Sequence, residues 1–563
     1  MKAIKSLLVL FISLIGYSTG EAIPAKIGVT TFVQPDGTTI KIKFTGNGDL
    51  HFVTTEDGKI LSMDSLGFYR LADINEDGLL TPSVHGPNES TRSQNGITIK
   101  QLDLRKFAAR NTLSSRSFDH AGKGRLHYDY PSTGTPHVPI VLVEYSDVKF
   151  SEAYDVKNYF NEMANGDNFK QYGSYGSLKQ YFNDQSYGKF IPTFDVLGPV
   201  TLDKPREYYG DNYGQGWDVK AHQMVSDAVT ILDPEVDFSI YDEDGDGDVD
   251  FIYIIYAGHG EHRGGGEKTV WPHAGQLKEM ANFKMADGKF LNAYACSNEL
   301  IYDTPEGMGA FVHEYCHILG LPDLYTTDMI IEERDFTPGP YTILDYGVYN
   351  NDGRTPPNFT AYERNVLEWN DPVYIDMPMK MEMNEISTGE FGLIAASENE
   401  FFLIENRQQT GWDEYLPNHG MLIWHIDYNP QVFENNEVNL YPDHQYVDLL
   451  EANNQPGYSK YAADFTFPGT TGNDSFSPYT SPALKTSNGD KINLSLNNIR
   501  EEDGIIYFDV ETGDTGGIVM EKTDDEKIEV YNIYGQKVYE GTKKGLISLS
   551  KGIYIVNGNK IIL

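Results

Sequence analysis

The residues His313-Glu314-Tyr315-Cys316-His317, continued by Gly320 and Asp323, constrain this chain more than any other feature. The pattern reads H-E-x-x-H-x-x-G-x-x-D. On a helix, histidines four apart share one face. Two neutral imidazoles on one face hold a single Zn²⁺, and the intervening Glu314 stands beside them as general base for the water that the metal activates. Gly320 lets the chain leave the helix by a left-handed turn. Asp323 then returns within reach of the metal. The competing reading of the same residues is a buried helix with two satisfied histidines.

At 563 residues the chain is too long for one core, so two to four domains are expected. The 83 acidic against 44 basic residues give a formal charge of −39, which argues against binding nucleic acid or an anionic membrane through charge. The same excess suits a secreted protein that holds Ca²⁺ through carboxylates. A short basic start (Lys2, Lys5), an apolar run over 7–15 and small residues to Gly20 and Ala22 read as a secretory signal peptide. The apolar run is too short for a transmembrane helix. Cys296 and Cys316 are the two cysteines. Export permits them to pair, which would tie the segment before the motif helix to that helix; two separate buried thiols are the alternative. Helical phase turns Cys316 away from the His313/His317 face, so it is not read as a ligand.

Residues 27–80 alternate apolar and polar between Gly/Asp turns and read as short strands and hairpins. Residues 81–135 lose periodicity and carry Lys100, Arg105, Lys106, Arg110, Arg116, Lys123 and Arg125. They read as a flexible linker that doubles as an exposed cleavage site for a trypsin-like activating protease. The near-continuous apolar run 138–145 reads as a buried strand, as does 251–256. Segments 177–184, 219–232, 309–319 and 359–369 read as helices. From about 370 to 513 the pattern turns to β, with strands expected at 400–406, 421–426, 446–451 and 505–510. A linker follows at 512–517, then a compact β segment to 563.

A second metal signal lies at Asp242-Glu243-Asp244-Gly245-Asp246-Gly247-Asp248-Val249-Asp250. Asp242, Asp244 and Asp246 fall at the first, third and fifth positions of a calcium loop, with Gly247 at the sharp turn. Tyr253 stands where an EF-hand has its bidentate glutamate, so this is not a standard EF-hand, and Asp248 or Asp250 is a candidate to complete the shell. Close carboxylates repel one another unless a cation neutralises them; an acidic turn without metal is the alternative.

These segments together resemble the immune-inhibitor-A family of zinc metallopeptidases. The resemblance rests on Val141-Leu142-Val143-Glu144-Tyr145-Ser146-Asp147, on Tyr181-Phe182-Asn183-Asp184-Gln185-Ser186-Tyr187-Gly188, and on Asp237-Phe238-Ser239 leading into the acidic loop. It extends through Trp271-Pro272-His273, the zinc motif to Tyr325, Ala361-Tyr362-Glu363-Arg364, Ile404-Glu405-Asn406-Arg407 and Ile423-Trp424-His425-Ile426-Asp427. It implies a secreted endopeptidase made as a zymogen, with His313 and His317 as zinc ligands and Glu314 as base. The motif spacing favours Asp323 as third ligand, as in metzincin-like sites; Glu363 is the rival. Metzincins carry a Met-containing turn beneath the zinc, and the corresponding stretch here, 342–347, has Leu344 instead, of similar volume. Tyr346 stands where some metzincins place a tyrosine near the metal, able to donate to an oxyanion, or else it is a core tyrosine. His425 and Asp427 share one strand face and read as cleft-lining or, more simply, as a structural network.

The resemblance also divides the chain. Residues 1–22 are the signal peptide, 23–117 the propeptide with its activation linker, 118–370 the catalytic domain, 371–513 a β-rich extension and 514–563 a C-terminal domain. The fold expected is multidomain α+β: a β-rich propeptide, an α/β zincin-type catalytic domain with the extension, and a small β-sandwich-like module. An aspartate of the propeptide such as Asp49 is a candidate to occupy the metal's open position. The last segment, with Glu529 to Lys537 and Lys551 to Val556, resembles the sorting domain of type IX secretion cargo. That implies type IX machinery as a partner and a secreted or outer-membrane-attached product; a substrate-binding module is the alternative. The rival for the whole chain is a calcium-stabilised surface adhesin with a vestigial zinc site.

Overall fold

The computed structural model describes residues 29–46, 51–74 except 65, 80–83, 86, 98, 125–126 and 130–512, the last except 213–217, 219, 278–284, 328–334 and 398, and the backbone of four strands between 527 and 562. The expected signal peptide, Asp49 and the basic residues from Lys100 to Lys123 lie outside the described residues.

The N-terminal hairpins form one antiparallel meander of six strands, from Thr30–Val33 to Leu80–Pro82, each paired with its neighbour in sequence. Turn glycines Gly37, Gly58 and Gly67 all take positive φ, the conformation their Asp-Gly and Leu-Gly contexts foretell.

The sheet that organises the motif helix has the order His273–Gln276, Ala293–Ile301, Ile252–His259, His137–Glu144, Thr193–Thr201. The last four run parallel and the His273–Gln276 edge runs antiparallel. Parallel strands are covered on both faces, and His137–Glu144 shows why its sequence is almost unbrokenly apolar. Ile140 and Leu142 face the core that holds the motif helix Gly309–Ile318. Val141 and Val143 face the opposite core, with Ala221–Leu232.

The β-rich extension supplies a five-stranded sheet around Glu400–Arg407 and Gly420–Asp427 and a three-stranded sheet ending in Ile505–Thr512. Its residues Leu403, Leu422, Trp424 and Leu449 belong to the same buried cluster as Phe311 and Tyr315 of the motif helix. The extension and the helix therefore share a core. The final four strands form one antiparallel sheet, order Lys537–Thr542, Lys527–Asn532, Ile553–Val556, Asn559–Ile562. Among the described residues no helix is long and apolar enough to cross a membrane.

Of the two alternatives for the cysteines, the structure takes the second: Cys296 and Cys316 are both free, buried thiols, and they sit in separate cores on the two faces of the sheet. One expectation is corrected. Arg125 is not an exposed linker residue. It is buried, with its Nε donating to the Leu319 carbonyl at 2.9 Å, while the neighbouring Leu126 N–H donates to the Gly320 carbonyl at 2.7 Å. Arg125 thereby satisfies a carbonyl that the end of the motif helix leaves unpaired.

Candidate metal centre

The motif helix starts where only glycine fits. A Cβ on Gly309 would lie 2.2 Å from the Val348 carbonyl oxygen, and one on Gly307 equally close to Gly353. The helix therefore begins in backbone contact with the 3₁₀ stretch Tyr346–Gly353. It ends in a Schellman turn: Gly320, at φ +90, donates to the His317 carbonyl at 2.9 Å, and Leu321 donates to the Cys316 carbonyl at 3.0 Å. The turn swings the chain back so that Asp323 meets the helix face it has just left.

Three buried side chains converge there. Asp323 Oδ1 lies 3.2 Å from His313 Nε2 and 3.4 Å from His317 Nε2, and the two Nε2 atoms are 3.2 Å apart. Each imidazole is oriented from behind. His313 Nδ1 donates to the Ile343 carbonyl and His317 Nδ1 to the Leu321 carbonyl, both at 2.8 Å. With Nδ1 committed as donor, each Nε2 presents a lone pair. Burial lowers the His313 pKa and so favours the neutral ring a metal needs. Burial works to raise the Asp323 pKa, but the adjacent His317 and His313 hold it well below the ordinary carboxylate range. Among the described residues no hydrogen-bond donor is aimed at the buried Asp323 Oδ1. Two facing nitrogen lone pairs and a carboxylate oxygen are a donor set for one divalent cation, and the residues fit zinc in type and number.

The other Asp323 oxygen is held from the extension. Asn436 Nδ2 donates to Asp323 Oδ2, and Asn436 Oδ1 accepts from the Asp323 N–H, both at 2.8 Å. Asn436 adopts φ +54, a left-handed geometry that asparagine tolerates. Sequence reasoning missed this residue. Its only local signal is Asn435-Asn436 after a short helix, which does not say what the side chain reaches.

Glu314 is buried on the same helix, next to His313. Glu363, the rival ligand, is engaged elsewhere. It closes a capping box with Thr360 on the helix Ala361–Val366 and accepts from the Thr342 hydroxyl. Thr342 Oγ1 in turn accepts from the Leu344 N–H at 3.0 Å. Glu363 thus braces the turn whose Ile343 carbonyl orients His313, and burial raises its pKa to about 7. Leu344 is fully buried beneath this turn. Asp345 is also buried, accepting from Thr337 Oγ1 and Gly339 N–H at 2.6 Å, with its pKa pushed up to about 7 by burial. Tyr346 packs against Tyr458 and Tyr349, ring centres 5.0 and 5.9 Å apart.

In the acidic loop, Asp242, Asp244 and Asp250 bring one oxygen each to within 4.8 Å of one another. Asp246 and Asp248 do not join them: Asp246 Oδ1 accepts from the Asp248 N–H at 2.7 Å, and Asp248 lies in a short strand. Lys289 is ion-paired with Asp242 and lowers its pKa. Burial, followed by the charges of Asp244, Asp242 and Asp246, pushes the Asp250 pKa up to about 7.

His425 and Asp427 form a network of their own. His425 bonds Glu400 at 2.8 Å and stacks on Phe402, while Asp427 accepts from Ser487 Oγ at 2.7 Å and pairs with His444 at 2.9 Å. Arg364 and Arg407 are likewise scaffold: Arg407 is buried between Asp413 and Glu405, and Arg364 donates to the Phe359 and Gln185 carbonyls.

Comparison with known proteins meets this geometry. Residues 140–370 match the sequence model of the immune inhibitor A peptidase M6 catalytic domain. The pre-pro-metalloprotease PrtV of Vibrio cholerae serotype O1 is 29% identical in a match covering 32% of this chain and 21% of that protein. Immune inhibitor A of Bacillus thuringiensis subsp. alesti is 28% identical, over 34% of this chain and 33% of that protein. The match thus spans between about a fifth and a third of those relatives' length. Family model and relatives together support a metallopeptidase of the immune-inhibitor-A kind over the matched residues.

Proposed function

We propose that this chain is a secreted zinc endopeptidase, made as a zymogen and active on extracellular proteins. The observation that carries the reading is the convergence of His313 Nε2, His317 Nε2 and Asp323 Oδ1 in a buried, pre-oriented set, with Glu314 on the same helix. Zinc held by these three residues would polarise the scissile carbonyl and acidify the attacking water. Glu314 takes the proton of that water and delivers it to the departing amine. Tyr346 donates to the oxygen that gains charge in the transition state. The Ile343 and Leu321 carbonyls keep both imidazoles in the ligating tautomer throughout.

Calcium on Asp242, Asp244 and Asp250 would hold the acidic loop together, relieving the repulsion that raises the Asp250 pKa. The C-terminal four-stranded sheet is the proposed address for type IX export. Digestion of casein by the zinc-loaded protein, after limited trypsin and removal of the N-terminal fragment, tests the reading. Peptides with new internal termini, lost with a chelator and restored by zinc, are expected. Release of single terminal residues alone would contradict an endopeptidase.

A further inference from the structure

Trp271 belongs by sequence to the loop between the strand Ile252–His259 and the edge strand His273–Gln276. Its indole, fully buried, nevertheless completes the core of the N-terminal sheet, among Ile40, Ile42, Val53, Leu61, Tyr69 and Leu71. It is the largest side chain in that core. A polar contact lies beside it: the Met63 N–H donates to both carboxylate oxygens of Glu267, 3.1 Å each. A Cβ on Gly266 would sit 3.3 Å from Met63 Cε, so sheet and loop are in close contact. The receiving side is fixed from below. The Trp271 N–H donates to Asp218 at 2.7 Å, its carbonyl accepts from His273 Nδ1 at 2.7 Å, and the Val270 carbonyl accepts from the Tyr256 hydroxyl.

Resting on the zymogen reading above, we infer that Trp271 is the anchor that keeps the N-terminal sheet seated after the chain between them is cut. Activation then takes two steps, cut and release, and the released sheet is a non-covalent inhibitor of the mature protein. A tryptophan buried among apolar side chains, with hydrogen bonds between backbone and side chains around it, is the composition of an interface hot spot. Cutting the linker removes only the effective concentration it supplied, not the contact itself. The loop bearing Trp271 leads directly into His273–Gln276, which pairs with Ala293–Ile301 on one side. An extended peptide adds to such an edge, so a sheet seated on that loop restrains the approach.

The test uses the full-length, zinc-loaded protein nicked with limited trypsin and passed over a size-exclusion column. The N-terminal fragment is expected to co-elute with the remainder, with casein hydrolysis low. Stripping the fragment with mild urea, then removing the urea, raises hydrolysis by at least about tenfold, the scale of one hot-spot residue. Nicked Trp271→Ala should elute as two pieces and be active at once, and Glu267→Ala should retain the fragment more weakly than wild type. If Trp271→Ala fails to fold by circular dichroism, Glu267→Ala, which leaves the apolar core untouched, decides. Immediate separation of the wild-type pieces overturns the inference, as does retention in the variants equal to wild type. A separated remainder that holds zinc and is inert would instead contradict the peptidase reading and leave the retention result standing.

Discussion

Two clusters of the chain offer donor sets for a cation, and they are arranged in opposite ways. His313, His317 and Asp323 are buried, and each is fixed by a partner from another segment: Ile343, Leu321 and Asn436. The adjacent His317 and His313 hold the Asp323 pKa low despite burial. Asp242, Asp244 and Asp250 come from nine consecutive residues, carry like charge, and have Lys289 ion-paired with Asp242. Their mutual repulsion contributes to the raised pKa of Asp250. The first cluster is preorganised by the fold; the repulsion in the second would be relieved by a cation. One is therefore expected to govern activity and the other stability.

Asp323→Ala should have the largest effect, removing one of three donors and abolishing stoichiometric zinc at neutral pH. Metal analysis after gel filtration checks it; a variant that keeps one zinc per chain would show that the buried cluster is not the zinc site. Asn436→Ala leaves all three donors and should weaken zinc by about 10–100-fold, the scale for residues that orient a ligand. Competition against a chromophoric chelator measures it, and an unchanged affinity would mean that Asp323 needs no brace. Glu363→Ala should reverse the pattern, retaining zinc but costing about 2 kcal/mol of stability through the lost cap and the buried Thr342 hydroxyl. Denaturant melts with metal analysis separate it from Asp323→Ala; loss of zinc would return Glu363 to the ligand set.

The acidic cluster gives a smaller, pH-dependent effect. The Asp250 pKa, about 7 in the fold, lies above its ordinary value of 3.8. Protonation therefore favours the folded state, and this contribution is full below about pH 4 and lost as pH rises through 7. Without calcium, melting temperature should fall over that window more steeply in wild type than in Asp250→Asn. Added calcium should erase the difference at neutral pH, and parallel profiles with and without calcium would contradict a cation role. The smallest change is expected for Leu344→Met beneath the zinc turn. A volume-conserving swap there should shift stability by less than about 1.5 kcal/mol, readable in the same melts, and leave zinc affinity unchanged.

Much of this was readable from local pattern. The helix 309–319 appears as Gly309–Ile318, and Gly320 takes the left-handed turn its position required. The strands at 138–145 and 251–256 showed as apolar runs because both faces are covered. What was not readable depends on contacts distant in sequence. Asn436 reaches Asp323 across 113 residues, and Trp271 fills the core of a sheet some two hundred residues away. Arg125 looked like linker because a basic residue among basic residues carries no sign that its guanidinium will find a helix end. Glu363 is the instructive rival. Thr360-Ala361-Tyr362-Glu363 is a capping-box sequence, and that local signal pointed to a structural role before any metal was considered. The sequence leaves the cysteines open between a pair and two separate thiols, because spacing says nothing of sheet faces.

Zinc titrated back into the metal-free, nicked and separated protein, with casein hydrolysis and bound zinc followed together in wild type and Glu314→Gln, bears hardest on the proposed chemistry. Wild-type activity should rise in step with zinc and level off at one per chain, while Glu314→Gln binds the same one zinc and stays inert. Wild type that takes up its zinc and cleaves nothing, or a Glu314→Gln protein that cleaves as well as wild type, would contradict it.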